Sequence, residues 1–276
     1  MCPPDYYGIE YEINPWMSRQ RQSDRQAASQ QWTALKRLLE EAGATIELLS
    51  PQPGLPDMVF TANAALVYKN VAVMARFRYP QRQGEVPYDE AWLAAAGFEI
   101  RQARSDVHFE GAGDALFCGD TLFAGYRIRS HALGHQDIGA MLECLVIPLE
   151  LVDPYYYHLD TCFCPLSPLQ AIYFPAAFDE YGRAALKAHV PELIEVTEAE
   201  ARRFACNAVV VGRTVTTNTG CPQLHAALRE RGFAPRETPL DEFVKAGGSA
   251  KCLTLRLDGE DAAAWKQSAE SKSLSP

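Results

Sequence analysis

The sequence predicts an α/β fold in which five strand–strand–helix–strand units close on themselves as a five-bladed α/β propeller. Two observations carry this. An apolar hairpin followed by a helix and a further strand recurs along the chain. Phe60, Phe109, Phe163, Val209 and Leu253 mark the copies at a period of roughly 45–55 residues, which signals a radial array or a solenoid. An ordinary α+β fold with coincidental spacing is the alternative.

Residues 1–17 are irregular, with Pro3-Pro4 and Pro15-Trp16 around Tyr6, Tyr7, Ile9, Tyr11 and Ile13. The polar run 18–31 leads into a helix, where Trp32, Leu35, Leu38 and Leu39 recur at helical spacing until Ala42-Gly43 stops it. Residues 44–49 are expected as a strand and 51–56 as a proline-rich loop. The first hairpin is expected at 58–68 and 71–75, around the turn Lys69-Asn70. A loop with Arg76, Arg78 and Arg82 follows, then a helix near 88–96 and a strand at 98–100. The second unit has strands at 114–117 and 121–125, a helix near 137–144 and a strand at 145–149. The third has strands at 160–166 and 169–174, a helix near 179–188 and a strand at 193–196. The fourth has strands at 207–211 and 214–218 before a helix near 222–231. The fifth is carried by 251–257 and closes against the N-terminal segment. Residues 1–258 thus read as a single α/β propeller domain and the polar 259–276 as a flexible tail, or the stub of a linker.

The chain has 276 residues, 47% hydrophobic and 22% charged, an ordinary globular balance with ample length for a core. Its net charge of −9 disfavours nucleic acid and suits a small or cationic ligand. No run is long and apolar enough to span a bilayer, and Met1-Cys2-Pro3-Pro4 lacks the basic and apolar regions of an export signal. The eight cysteines are therefore expected as reduced thiols in a cytoplasm. No cofactor motif is present, and neither the CxxC pairs nor the His-Glu-x-x-His helix of a metal site appears.

In a propeller the first strand of each unit starts near the axis, so polar residues at those starts converge from distant sequence. Asn63, Glu110, Asp114, His158, Asp160 and Cys252 occupy such places. Together they supply a nucleophile, an acid/base and carboxylates for a cation. Each also has a plain alternative. Asn63 and the Glu110–Asp114 stretch fit polar turns, and Cys252 after Gly247-Gly248 fits a buried strand start. His158-x-Asp160 on a strand would place both side chains on one face with Cys162 and Cys164, for one substrate or for zinc.

Phe60-Thr61-Ala62-Asn63, Phe109-Glu110-Gly111-Ala112-Gly113-Asp114, His158-Leu159-Asp160-Thr161 and Gly247-Gly248-Ser249-Ala250-Lys251-Cys252 resemble, in order, the motifs of the guanidino-group-modifying superfamily. Arginine deiminases, dimethylarginine dimethylaminohydrolases and amidinotransferases belong to it, all five-bladed propellers of the pentein type. The resemblance spans about residue 2 to residue 257. It implies Cys252 as nucleophile, His158 as general acid/base and Glu110 as its carboxylate partner. It also implies Asp114 and Asp160 on the guanidinium, Arg82 and Arg129 on the substrate α-carboxylate, with Asn14 and Ala250 as further substrate contacts. Where deiminases carry aspartate, this chain has Asn63. That departure, with Asn14-Pro15-Trp16-Met17, looks most like the arginine dihydrolases of cyanobacterial type, which convert arginine to ornithine, ammonia and carbon dioxide. Release of citrulline and transfer of the amidino group to an amine are the neighbouring activities. A non-enzymatic propeller of the ribosome-factor kind would lack this set of residues. Arginine or a related guanidino compound is the expected partner, with no nucleic acid and no membrane; a homo-oligomer is left open.

Overall fold

The computed structural model describes residues 1–104 and 106–259, so the expected tail lies, from residue 260 onward, outside the described residues. Four of the five expected units carry a three-stranded sheet of one design. In the first, β1 (Ala65–Tyr68) pairs antiparallel with β2 (Val71–Met74), and β3 (Glu99–Gln102) returns parallel to β2 after the helix Val86–Ala95. The second unit has β4 (Ala115–Cys118), β5 (Thr121–Tyr126), the helix Ala132–Leu142 and β6 (Leu145–Glu150). The third repeats this with β7 (Phe163–Ser167), β8 (Gln170–Tyr173), the helix Glu180–His189 and β9 (Glu192–Glu195). The fourth has β10 (Val209–Val211), β11 (Thr214–Asn218), the helix Pro222–Glu230 and β12 (Ala234–Thr238). β1, β2 and β4 are almost wholly buried, whereas β3 and β12 are largely exposed. The run of small and β-branched residues thus lies inward and the charged third strand outward. β12 was hidden in the sequence by Pro235, Arg236 and Glu237, which suit an edge.

The fifth unit differs from expectation. Residues 44–49 and 251–257 form no strand. The first stretch is tied by two backbone bonds to Met1 (Leu49 N–H to Met1 O and Met1 N to Glu47 O, both 3.0 Å). The second turns back on itself, with Leu253 N–H on Ser249 O and Thr254 N–H on Lys251 O. In place of a sheet, an apolar cluster joins the two ends of the chain. Trp32, Leu35 and Leu39 of the N-terminal helix Arg25–Glu41 pack with Tyr7, Phe60, Phe243 and Leu253. Closure against the N-terminal segment therefore runs through side chains.

Two further corrections concern the approaches to the strands. Residues 58–63, expected within a strand, form two 3-10 turns, Pro56–Val59 and Thr61–Asn63. Pro56 removes a ladder donor, and the Arg82 guanidinium donates to the carbonyls of Asp57 (3.1 Å) and Phe60 (3.4 Å). Asp160 likewise lies in a 3-10 turn, Leu159–Thr161, that His158 leads into, so the alternation of a strand does not bring them together. Cys162 and Cys164 point into the apolar core.

His135 ties its helix to β5, its Nε2–H donating to the Gly125 carbonyl at 2.7 Å, and packs edge-on against Phe109. Burial lowers its pKa from 6.5 to about 4, so it folds neutral. The unfolded chain binds the extra proton, and this contribution to stability is full above pH 6.5 and lost as pH falls toward 4. Between pH 7 and pH 5 the loss is about 2 kcal/mol. Urea unfolding of His135→Gln should fall less over that interval, by about that amount; equal slopes for both proteins would remove His135 from the account.

Candidate active site

The strand approaches of all five units meet in a closed circuit of hydrogen bonds. Arg76 N–H donates to Phe109 O (2.7 Å), and Phe109 N–H returns to Arg76 O, joining units one and two. Asp114 Oδ1 accepts from Leu159 N–H (3.1 Å), joining two and three. Asn207 Nδ2 donates to Asp160 O (3.0 Å), joining three and four. Lys251 N–H reaches Asn207 O (3.2 Å), and Ala62 N–H reaches Cys252 O (3.2 Å), closing four to five and five to one.

Within this circuit Asn14, Asn63, Arg82, Arg129 and Cys252 line one narrow cavity with Asp57, Phe60 and Tyr157. Glu110 bonds Arg129 of that wall, Asp160 bonds Cys252, and the His158 ring lies against Tyr157. Cys252, 2% exposed, donates its thiol to Asp160 Oδ2 (3.4 Å) and accepts from Asn207 Nδ2 (3.1 Å). Burial and then the Asp160 charge push its pKa well above the ordinary thiol value. The resting group is a thiol, not a thiolate. Gly247, at φ +84°, and Gly248 deliver this turn; a Cβ on Gly248 would lie 2.3 Å from the Phe60 ring.

His158 and Glu110 form a buried pair, with Nε2 2.6 Å from Oε2. Burial raises the Glu110 carboxyl, but Arg129, His158 and Arg82 outweigh it and hold it well below the carboxylate range. An ionised Glu110 can only accept, so His158 Nε2 carries the proton and Nδ1 is the basic nitrogen. Burial, against the pull of Glu110, lowers the His158 pKa to about 4. Glu110 also accepts from Arg129 Nη1 (2.9 Å), whose guanidinium lies between the rings of Tyr79 and Tyr157.

Arg82 is 3% exposed and its donors are mostly engaged. Nε and Nη2 bind both oxygens of Glu85 (2.9 and 2.7 Å), and Nη1 donates to Asn63 Oδ1 (2.7 Å). Arginine only donates, so this bond fixes the Asn63 amide with Oδ1 toward Arg82 and Nδ2 away, 3.5 Å from the Glu110 carbonyl. Burial raises the Glu85 pKa to about 7, against the pull of Arg82. Asp114 has both oxygens occupied, by Ser130 Oγ (2.6 Å) and Leu159 N–H, and burial pushes its carboxyl well up. Its place is under the turn that carries His158 and Asp160. Asn14 closes the cavity from the N-terminal segment, its Nδ2 donating to Ala246 O (3.0 Å). Ala250 is fully buried in the apolar cluster and is not on the wall.

Three residues of this site were not singled out from sequence. Asp57 sat in a proline loop, Tyr157 in an aromatic run, and Asn207 at the start of a valine strand. Asn207 stands before Ala208-Val209-Val210 much as Asn63 stands before Ala64-Ala65-Leu66, and that repeat position was the available signal. The zinc reading of His158-x-Asp160 finds no support, since among the described residues no group of three or more histidine, cysteine or acidic side chains is set to hold a metal. Nor, among them, is any helix long and apolar enough to cross a membrane.

A Cβ on Gly113 would lie 2.1 Å from Asn63 Nδ2, which Arg82 prevents from swinging aside. Gly113→Ala should therefore cost about 2 kcal/mol in chemical denaturation, within the range for overpacking. Adding Asn63→Ala should restore most of it, and a strictly additive double variant would show that the two groups do not collide.

A family model for N,N-dimethylarginine dimethylhydrolase of the eukaryotic type matches residues 10–257. The bifunctional arginine dihydrolase/ornithine cyclodeaminase ArgZ of Synechocystis sp. is 47% identical over 262 residues, covering 93% of this chain and 37% of its own length. The chain thus spans little more than a third of that relative. An N(G),N(G)-dimethylarginine dimethylaminohydrolase of Mycobacterium tuberculosis is 39% identical over 257 residues, covering 93% of this chain and 84% of its own. Among solved structures, the N-terminal domain of ArgZ, an arginine dihydrolase of cyanobacteria, in a mutant form bound to substrate, superposes with a TM-score of 0.91 at 46% identity. That match covers 94% of this chain and 97% of the other. With its cysteine, histidine and carboxylates gathered at one cavity and the family match running nearly end to end, the chain belongs to the dimethylarginine dimethylaminohydrolase family of guanidino-modifying pentein proteins.

Proposed function

We propose that the chain is a cysteine-dependent hydrolase of the arginine guanidino group, working through a covalent amidino-cysteine on Cys252 and running from arginine to ornithine, ammonia and carbon dioxide. The observation that carries this reading is the sulfur of Cys252 facing the Asp160 carboxylate, on a cavity wall shared with Arg129, which bonds the Glu110 of the buried His158–Glu110 pair.

A guanidinium is planar, permanently charged and weakly electrophilic. Asp160 beside Cys252 disfavours thiolate in the resting site but attracts this cation. A guanidinium about 4 Å from the sulfur, at an effective dielectric of 20, contributes roughly 4 kcal/mol, enough to lower the thiol pKa by up to about 3 units. Substrate therefore brings its own activation. The thiol proton passes to His158 Nδ1, and the thiolate adds to the central carbon. The imidazolium then protonates one amino group, which leaves as ammonia. Water adds to the amidino-cysteine with His158 as base, and the carbon–sulfur bond breaks to give citrulline. Of the two arginines, Arg129 retains more uncommitted N–H groups for the α-carboxylate than Arg82. Buried Asp57, on the cavity wall, supplies a counter-charge for a substrate cation.

Asn63 bears on how far the reaction runs. The urea oxygen of citrulline accepts hydrogen bonds, and a carboxylate here would repel it. The orientation fixed by Arg82 presents an amide N–H, which favours retention for a second hydrolysis. The family match and the mycobacterial relative favour a second reading, release of citrulline from arginine or its dimethylated form. In either case residues 1–258 act as one catalytic unit on a small guanidino substrate, with the cytoplasm as its compartment and self-association open.

Product analysis of the protein with arginine, dimethylarginine and citrulline decides between these readings. Ornithine from both arginine and citrulline is expected; citrulline as the end product would favour the second. Asn63→Asp should keep its bond to Arg82 yet accumulate citrulline. Ornithine formed at the parent rate, without citrulline, would remove Asn63 from product control.

A further inference from the structure

Asn207 is fully buried on the approach to β10, and its side chain bonds both the backbone and the sulfur of Cys252. Its Oδ1 accepts the Cys252 N–H at 3.1 Å. A backbone N–H can only donate, so the amide cannot be reversed, and Nδ2 must face the opposite way. There it donates to the Asp160 carbonyl at 3.0 Å and to Cys252 Sγ at 3.1 Å. Both of its N–H groups are thus engaged, one holding the Asp160 turn and the other on the sulfur. The backbone that delivers it is unusual. Phe204, three residues earlier, has φ +61° while 2% exposed, and Asn207 N–H donates to its carbonyl at 2.9 Å. A non-glycine residue in that conformation is strained and persists only where its surroundings hold it. Here the Phe204 ring packs 4.8 Å from the Trp16 indole.

We propose that Asn207 is a catalytic residue, whose Nδ2–H stabilises the Cys252 sulfur as an anion both when it attacks and when it leaves. The sulfur otherwise faces the Asp160 carboxylate and an apolar cluster, neither of which favours negative charge. A neutral amide donor fits this place better than a fixed cation, which would compete with a cationic substrate for Asp160. The donor is in position before any ligand arrives, so no reorganisation is needed as charge develops on sulfur. Asn207 also supplies the fourth unit's contribution to the circuit, beside Ala62, Asp114, Asp160 and Cys252 from the other four. The inference rests on Cys252 being the nucleophile.

The test uses Asn207→Asp, which keeps the acceptor for the Cys252 N–H, and Asn207→Ser, which leaves only a short hydroxyl. For each, iodoacetamide alkylation of Cys252 is followed against pH by peptide mass spectrometry, alongside steady-state kinetics with arginine. Thermal unfolding identifies the variants that remain folded. The expected result is an alkylation profile moved to higher pH and a kcat lowered about 10²- to 10³-fold, the range for loss of one preorganised donor, with KM changed far less. A folded variant whose alkylation profile and kcat match the parent overturns the proposal, as does a loss confined to KM. If neither variant folds, an ultraviolet titration of the parent thiolate with arginine bound, against Cys252→Ala, takes their place. A pKa no lower than that of an ordinary cysteine then overturns it. Cys252→Ala retaining activity would instead sink the nucleophile assignment itself, whatever the Asn207 variants do.

Discussion

The circuit of hydrogen bonds through the five strand approaches is the constraint on which the rest of this structure depends. Each link crosses between units: Arg76 with Phe109, Asp114 with Leu159, Asn207 with Asp160, Lys251 with Asn207, and Ala62 with Cys252. Backbone polar groups buried at an axis must be paired, and here each unit's groups are paired by the next. That requirement bends the approaches into turns where the sequence suggested straight strands. It also gathers side chains from residue 14 to residue 252 around one cavity, from stretches far apart in the sequence. Closure and site are thus one feature. The fifth unit can dispense with a sheet because its turn is anchored on both sides.

Charge in this site is arranged in layers. Arg82 and Arg129 are buried cations, each matched to a buried carboxylate, Glu85 and Glu110. Such pairs do little for net stability once desolvation is counted, but they fix geometry. Arg82 sets the direction of the Asn63 amide, and Glu110 sets the tautomer of His158. Asp57 lies on the cavity wall, and Asp160 stands beside the Cys252 sulfur. The resting site holds a neutral cysteine and a neutral histidine, with the balance of charge suited to an incoming cation. In the proposed reaction, reactivity is thereby coupled to occupancy: the thiol beside a carboxylate stays inert until a guanidinium arrives.

Much of this was legible in the sequence, for physical reasons that can be named. Buried hairpins made of runs such as Ala65–Tyr68 and Val71–Met74 leave a plain apolar pattern, so four hairpins were readable together with the helices that follow them. The helix Arg25–Glu41 was likewise clear from Trp32, Leu35 and Leu39 at helical spacing. The 3-10 turns were not, because Met58-Val59-Phe60 is as apolar as a strand and its shape is set by Arg82, more than twenty residues downstream. β12 was missed because an exposed edge strand carries charge. Cys252, His158, Asp160 and Glu110 stood out because reactive side chains beside glycines or apolar runs are conspicuous. Asn207 did not stand out, since an asparagine at the start of a valine strand reads as part of that strand, and only the fold brings it onto the sulfur of Cys252.

The central claim, that Cys252 takes the guanidino carbon covalently, is tested most directly by intact and peptide mass spectrometry of protein quenched in acid during turnover of arginine. The account predicts an adduct with the mass of arginine less ammonia, confined to the Cys252 peptide and absent from Cys252→Ala. Product accumulating with Cys252 unmodified at every time point, or an adduct on another of the cysteines, would contradict it.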